Sequence, residues 1–268
     1  MTRGRISPRR RYSPPSRPRS VCALVSGGLD SAVLVGDLLR LGLTVQPLYV
    51  RAGLVWERDE VAALRRFLAA LRARRLRPLA IVDVPMADLY GRHWSTGSGA
   101  PPGFFTPDER VYLPGRNIAL LSKAATFCAL RGIPSIAIGI LDGNPFPDAT
   151  PGFFRALAKG LSLGLDAPMR IRTPFRVRSK AAVIRKGRGL PLDLTLSCAR
   201  PRSGGHCGRC SKCRERSHAF RDAGVPDPTR YAAGPGAEGS APAARRPGSA
   251  AERSRTTRVA PVKATRVR

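Results

Sequence analysis

The chain has 268 residues, of which 47 are Lys or Arg and 18 are Asp or Glu, for a formal net charge of +29. Its 43% hydrophobic content is enough to bury a core, which excludes wholesale disorder, and no run approaches the roughly 18 apolar residues of a membrane-spanning helix. The charge invites a nucleic-acid reading, but 41 of the cations are Arg and only 6 are Lys. Arg, Ala, Gly and Pro share GC-rich codons, so base composition accounts for the excess as well as a polyanionic partner does.

The charge is uneven. Residues 1–20 carry +7, residues 232–268 carry +6, and the remaining +16 lies on residues 21–231. Neither end shows apolar periodicity, so both read as disordered basic tails. They allow nucleic-acid contact without requiring it. The apolar run VCALV after the first tail is too short for a secretory h-region and serves better as a core strand, so a cytoplasmic protein is expected.

In chain order, Val21–Val25 reads as a buried parallel strand and residues 31–41 as a helix ended by Gly42. Thr44–Val50 is a second strand. Residues 57–75 carry Val61, Leu64, Phe67, Leu68 and Leu71 at helical spacing, with an Arg-rich polar face. Leu79–Val84 is a third strand, and residues 91–110 form a long polar loop of the kind that often carries function. A helix over 116–131, a strand Ser135–Ile140, a helix near 152–163, a strand near 169–173 and a helix near 179–187 follow. This alternation predicts an α/β fold, a doubly wound parallel sheet of Rossmann-like type.

Ser26-Gly27-Gly28-Leu29-Asp30-Ser31 lies where the first strand meets the first helix. Ligands of open α/β sheets bind at such a place. Two glycines admit close backbone approach, and the helix start favours an anion. Asp30 would repel a phosphate directly and is suited instead to holding Mg²⁺ or orienting the loop. No phosphate-loop Lys is present, so this is not a Walker A motif. An ordinary βα turn capped by Asp30 is the alternative.

The six cysteines divide in two. Cys22 and Cys128 sit alone in apolar segments as small buried hydrophobes. Cys198, Cys207, Cys210 and Cys213 fall within sixteen residues, and two residues separate Cys207 from Cys210 and Cys210 from Cys213. Four thiolates suit a closed, structural Zn²⁺ site, with an Fe–S cluster as runner-up. His206 competes as a ligand but is next to Cys207 and sterically exclusive with it in most geometries. Arg116 and Asn117 open a helix, Asp148 follows a strand, and Lys180 begins another helix. Each in isolation is as well explained by capping, turn formation or surface exposure.

Together these motifs resemble the 7-cyano-7-deazaguanine synthase family (QueC/ExsB-like) of the PP-loop, N-type ATP pyrophosphatases. The resemblance covers about residues 21–231 in collinear order. It runs through SGGLDS at 26–31, YLPGRN at 112–117, IAIGILDGNPFPD at 136–148 and TPF-x4-K at 173–180. It ends with LTLSC at 194–198, HCGRCSKCRER at 206–216 and AF-x3-GV-x-DPT-x-Y at 219–231. It implies an adenine-nucleotide α-hydrolase-like domain at 21–192 and a four-cysteine zinc-binding subdomain at 193–231. It also implies an ATP-dependent ligation of 7-carboxy-7-deazaguanine with ammonia through an adenylated carboxylate and an amide. By the resemblance, the loop and its flanks (Leu24, Val25, Ser26, Gly27, Gly28, Leu29, Asp30, Ser31, Ala32, Val33 and Leu34) bind ATP with Mg²⁺. Asp30, Arg116 and Lys180 are the catalytic candidates, Asn117 and Asp148 the readers of the deazaguanine edge, and a homodimer is the expected assembly. Two stretches depart from the family pattern: Tyr49-Val50-Arg51-Ala52-Gly53 replaces a Tyr-Gly-Gln type, and Ala149 stands where a Cys is common. A PP-loop enzyme modifying tRNA (thiolase or lysidine type), an amidating ligase on another carboxylate, and a zinc-ribbon nucleic-acid binder are the alternatives.

Overall fold

A computed structural model describes residues 20–233; all but the innermost residues of the two basic tails fall outside that range. Five strands, β1 (Ser20–Leu24), β2 (Thr44–Arg51), β3 (Ala80–Asp83), β4 (Ser135–Ala137) and β5 (Arg170–Arg172), form one sheet in the order β3-β2-β1-β4-β5. Every pairing is parallel. The helices are α1 (Leu29–Arg40), α2 (Glu57–Ala70), α3 (Ala87–Tyr90), α4 (Arg116–Ala129), α5 (Pro151–Gly164), α6 (Lys180–Lys186) and α7 (Ser211–Ala223).

Strand residues alternate between two cores, as the pleat requires. Val21, Ala23, Val45 and Tyr49 meet Leu34 of α1, Phe67 of α2, Ile184 of α6 and Phe220 of α7 on one face. Cys22, Leu24, Leu48 and Ile136 meet Leu121 of α4 and Phe154 of α5 on the other. Because both faces are covered, the strands read as continuous apolar runs rather than alternating ones. The doubly wound parallel sheet is therefore the fold. Strand order reverses between β1 and β4, which opens a crevice at their carboxyl ends.

Several boundaries differ from the sequence expectation for local reasons. Helix α1 begins at Leu29, two residues early, because extended Gly28 is its N-cap. Helix α2 stops at Ala70 instead of continuing to 75: Arg72 takes a left-handed backbone (φ 43) and Leu76 returns to bridge Val45. Strand β4 ends at Ala137 rather than at 140. Beyond it Gly139 runs against Asp30, where a Cβ would lie 3.3 Å from Asp30 atoms, so the chain leaves the sheet to cover the α1 start. The 91–110 loop contains two 3-10 turns, Trp94–Thr96 and Asp108–Val111.

Helix α7 had no sequence counterpart. Its inward stripe is Cys213, Arg216, Ala219, Phe220 and Ala223, and only part of that stripe is apolar. Arg216 is 1% exposed. It donates to Thr195 Oγ1 (2.8 Å), to the Leu192 carbonyl (2.9 Å) and to Thr229 Oγ1 (2.5 Å), tying α7 to the segments before and after it. Truncation would leave these acceptors unpaired around a cavity. Arg216→Ala is expected to lower unfolding stability by about 2–4 kcal/mol in urea denaturation. A wild-type midpoint and slope would contradict this role for Arg216.

Candidate active site and metal centre

The crevice is built around the turn from β1 into α1. The Ser26 N–H donates to Ser31 Oγ (3.2 Å), the Gly28 N–H to Ser26 Oγ (3.4 Å), and Ser31 Oγ–H to the Gly28 carbonyl (3.0 Å). Gly27 is left-handed (φ 79), and a Cβ on it would stand 2.7 Å from the Glu60 carbonyl oxygen, so no other residue fits without moving α2. Gly28, the N-cap of α1, has no side chain to cap the helix, and apart from the Leu29 N–H, which meets Ser197 Oγ at 3.4 Å, its positive end suits an anion.

Two adjoining cavities, of about 200 and 270 Å³, share Ser26, Asp30, Glu60 and Arg116 in their walls. The first also has Leu24, Val25, Ser31 and Asn117; the second has Gly28, Lys180, Ser197 and Glu215. The structure thus brings Asp30, Arg116 and Lys180 to one cleft. The side chains of Leu29, Ala32, Val33 and Leu34 lie in the hydrophobic core instead, so only their backbone belongs to the loop region. Asn117 and Asp148 are engaged with each other. The Asn117 backbone N–H donates to Asp148 Oδ2 (3.1 Å), and its side-chain amide donates to the Asp148 carbonyl (3.0 Å) and Oδ1 (3.3 Å). This pair locks the start of α4, which carries Arg116.

The charges of the cleft alternate in sign. Lys180 Nζ lies 2.6 Å from Asp30 Oδ2 and 2.9 Å from Glu215 Oε1, and Lys212 Nζ lies 3.1 Å from Glu215 Oε2. Asp30 and Lys180 retain 26% and 18% side-chain exposure, so they face the cleft. Burial lowers the Lys180 pKa, but the charges of Asp30 and Glu215 outweigh it and raise it above the ordinary lysine value. Burial raises Asp30, against the pull of Lys180. Burial also acts to raise Glu215, yet Lys180 and Lys212 hold it well below the usual carboxylate range.

Among the described residues five buried side-chain polar atoms have no partner, and two of them, Asp30 Oδ1 and Arg116 Nε, belong to residues of the cleft wall. A free carboxylate oxygen fits a divalent cation, and a free guanidinium N–H fits an anion, so the donor set suits a metal-bound polyphosphate. Sequence reasoning missed Glu60 and Glu215. Glu60 stands three, four and seven residues before Ala63, Leu64 and Phe67, on the buried stripe of α2. An acid in that phase was the available signal. Glu215 gave none, since its partner Lys180 is 35 positions away.

The four cysteines Cys198, Cys207, Cys210 and Cys213 converge, with all Sγ atoms within 4.8 Å of one another. Cys198–Cys210, Cys207–Cys213 and Cys210–Cys213 are 3.9, 3.8 and 3.5 Å apart. A tetrahedron with metal–sulfur bonds of about 2.3 Å has sulfur–sulfur edges of about 3.8 Å, so the donor set fits a tetrahedral thiolate-bound metal with no open position. The backbone N–H groups of Ala199, Cys207 and Arg209 point at sulfurs and help carry thiolate charge. His206 is not a member of the set. Its Nε2 accepts from the Ser197 N–H (3.0 Å), and burial and then the charge of Arg216 lower its pKa to about 3, so it stays neutral.

The segment leading into the cysteine cluster touches the Ser26–Ser31 loop directly. Leu196 N–H donates to the Gly27 carbonyl (2.8 Å), and Ser197 Oγ accepts from the Leu29 N–H (3.4 Å), one residue before the ligand Cys198.

Fold and cleft together define a doubly wound parallel α/β protein with a glycine-rich βα loop at its switch point and a four-cysteine cluster that could hold a metal. The family model described as "Queuosine biosynthesis protein QueC" matches residues 20–224. A 7-cyano-7-deazaguanine synthase of Anaeromyxobacter dehalogenans is 35% identical over 232 residues, covering 81% of this chain and 97% of that protein. One from Azoarcus sp. is 35% identical over 228 residues, covering 81% and 98%. The chain belongs to the QueC family. Among solved structures it is loosely similar to a 4-thiouridine synthetase–RNA complex with bound ATP (15% identity, TM-score 0.42, 65% of this chain and 42% of that one).

If the cysteines hold a metal that couples to folding, Cys210→Ser lowers metal content and thermal stability together. A Cys210→Ser protein with full stability and no metal would contradict a structural role.

Proposed function

We propose that the protein is an ATP-dependent carbon–nitrogen ligase that converts 7-carboxy-7-deazaguanine and ammonia into 7-cyano-7-deazaguanine, a queuosine precursor. The observation that carries this reading is the pairing of the glycine loop at the start of α1 with the unpartnered Asp30 Oδ1 and Arg116 Nε in one cleft. It supports an enzyme that clamps a metal–polyphosphate, in a chain matching synthases over four-fifths of its length.

The chemistry needs what the cleft offers. A carboxylate is a poor electrophile until one oxygen becomes a leaving group. Transfer of AMP to it requires the departing pyrophosphate to be held and its charge neutralised. We assign the pyrophosphate to the Ser26–Gly28 backbone, Ser31 and the start of α1. Asp30 Oδ1 would hold Mg²⁺, which when bound neutralises charge on the leaving group. Lys180, held in the cleft wall by Asp30 Oδ2 and Glu215, would offer a cation to phosphate oxygens there. Arg116 faces the same space and is assigned to an anionic oxygen of ATP or of the substrate carboxylate. Ammonia then displaces AMP to give the amide; a second ATP adenylates the amide oxygen with loss of pyrophosphate, and that oxygen leaves on AMP as two nitrogen protons pass to solvent and the nitrile forms. Asn117 and Asp148 act on the base, if at all, through the α4 start that they lock.

Residues 21–192 are the proposed ATP pyrophosphatase domain and residues 193–231 the metal-bearing one, with Zn²⁺ as the metal. Reduced thiolates suit a cytoplasmic location, and a homodimer is the assembly that the family resemblance carries.

The test is incubation of the full chain with Mg-ATP, ammonium and 7-carboxy-7-deazaguanine, followed by mass spectrometry. Nitrile and AMP are expected. Ser26→Ala and Asp30→Ala are expected to reduce AMP formation by about 100-fold or more while the protein remains folded. Product that appears only when tRNA is supplied would overturn the reading.

A further inference from the structure

We propose that Glu60 accepts the proton of ammonium, so that ammonia is released as a nucleophile beside the activated carboxyl carbon. This rests on the ligase reading above.

Glu60 is 9% exposed, yet it lies in the walls of both cavities of the cleft. Its Oε2 accepts from the Tyr49 hydroxyl at 2.6 Å. Its Oε1 has no partner among the described residues and keeps some accessible surface, in a residue that lines both cavities. Glu57, one turn earlier, provides the contrast. Both of its oxygens accept backbone N–H groups, from Ala52 at 2.6 Å and Gly53 at 3.2 Å, and it holds the loop after β2. Two acids on one helix face therefore differ in kind: one is fully engaged, and the other has a free oxygen. The backbone of Glu60 packs against Gly27, so its carboxyl belongs to the same wall as the phosphate clamp.

The charged and titratable groups around Glu60 are Tyr49 from β2, Glu57 from its own helix, Arg116 from α4 and Asp30 from α1. Burial, opposed by the Tyr49 hydrogen bond and the Arg116 charge, pushes Glu60 up to about 8. The ionised form of Glu60 is therefore a far stronger base than an ordinary carboxylate and better matched to ammonium.

The step balances without a further reagent. Ionised Glu60 takes one proton from NH₄⁺. The freed nitrogen pair forms the C–N bond as the acyl carbon–oxygen bond breaks, and its electrons leave on the phosphate oxygen of AMP. The second nitrogen proton passes to solvent as the amide forms, and Glu60 returns its proton to solvent.

The test compares three reactions of wild type, Glu60→Gln and Glu60→Asp. The first is carboxylate-dependent exchange of pyrophosphate into ATP, which needs no amine. The second is hydroxamate formation with hydroxylamine, which is already an unprotonated amine at neutral pH. The third is amide formation from ammonium. Glu60→Gln is expected to slow the third by about 100-fold or more while the first two fall less than about threefold. Glu60→Asp is expected to recover part of the ammonium-dependent rate, and the wild-type rise of that rate with pH is expected to flatten in Glu60→Gln. Equal losses in all three reactions would overturn the proposal and make Glu60 a structural or base-reading residue. Unchanged amide formation in Glu60→Gln would also overturn it. A wild-type chain that shows no exchange would instead overturn the ligase reading, and this proposal with it.

Discussion

The structure depends on one crowded position, Gly27. The backbone is left-handed there, and the Glu60 carbonyl of α2 leaves no space for a Cβ. The Gly27 carbonyl accepts the Leu196 N–H. Three segments far apart in sequence therefore meet on one residue: the end of β1, the second turn of α2, and the stretch leading into the ligand Cys198. The loop that would bind phosphate is held from both sides before any ligand arrives, as electrostatic preorganisation requires.

This arrangement joins the two chemical motifs. The cysteine segment is more than an appendage to the sheet. Its Ser197 hydroxyl receives the Leu29 N–H, its His206 receives the Ser197 N–H, and its helix α7 delivers Glu215 to Lys180. The cleft that results is a chain of alternating charges, Lys212–Glu215–Lys180–Asp30, ending at a free carboxylate oxygen. The large positive charge of the chain matters less than this local order. Its core share is +16 over residues 21–231, and within the cleft the cations that count are Lys180 and Arg116, each beside a place for an anion.

Much of this was legible in the sequence. The apolar runs of β1 and β2 and the helical spacing in α2 identified a parallel α/β sheet, because burial on both faces imposes those patterns. The SGGLDS string and the cysteine spacing were legible because their chemistry is local. What was hidden depends on distance or on mixed stripes. Helix α7 was missed because Cys213 and Arg216 occupy inward positions where apolar residues are the usual signal. The end of α2 was misplaced because Arg72 turns left-handed, a backbone choice its side chain does not announce. Asn117 and Asp148 read separately, as a helix start and a turn, and are each other's partners across 31 residues. Glu60 was passed over, although its phase sets it on the buried stripe of α2.

The claim that the close fit at Gly27 shapes the nucleotide site is tested most directly by Mg-ATP binding to Gly27→Ala, measured by calorimetry on metal-replete protein. A Cβ in a left-handed backbone costs about 1–2 kcal/mol and here must also push on the Glu60 carbonyl. The variant is expected to keep its metal and its fold, with ATP affinity reduced about tenfold or more. Wild-type affinity in a folded Gly27→Ala protein would contradict the account.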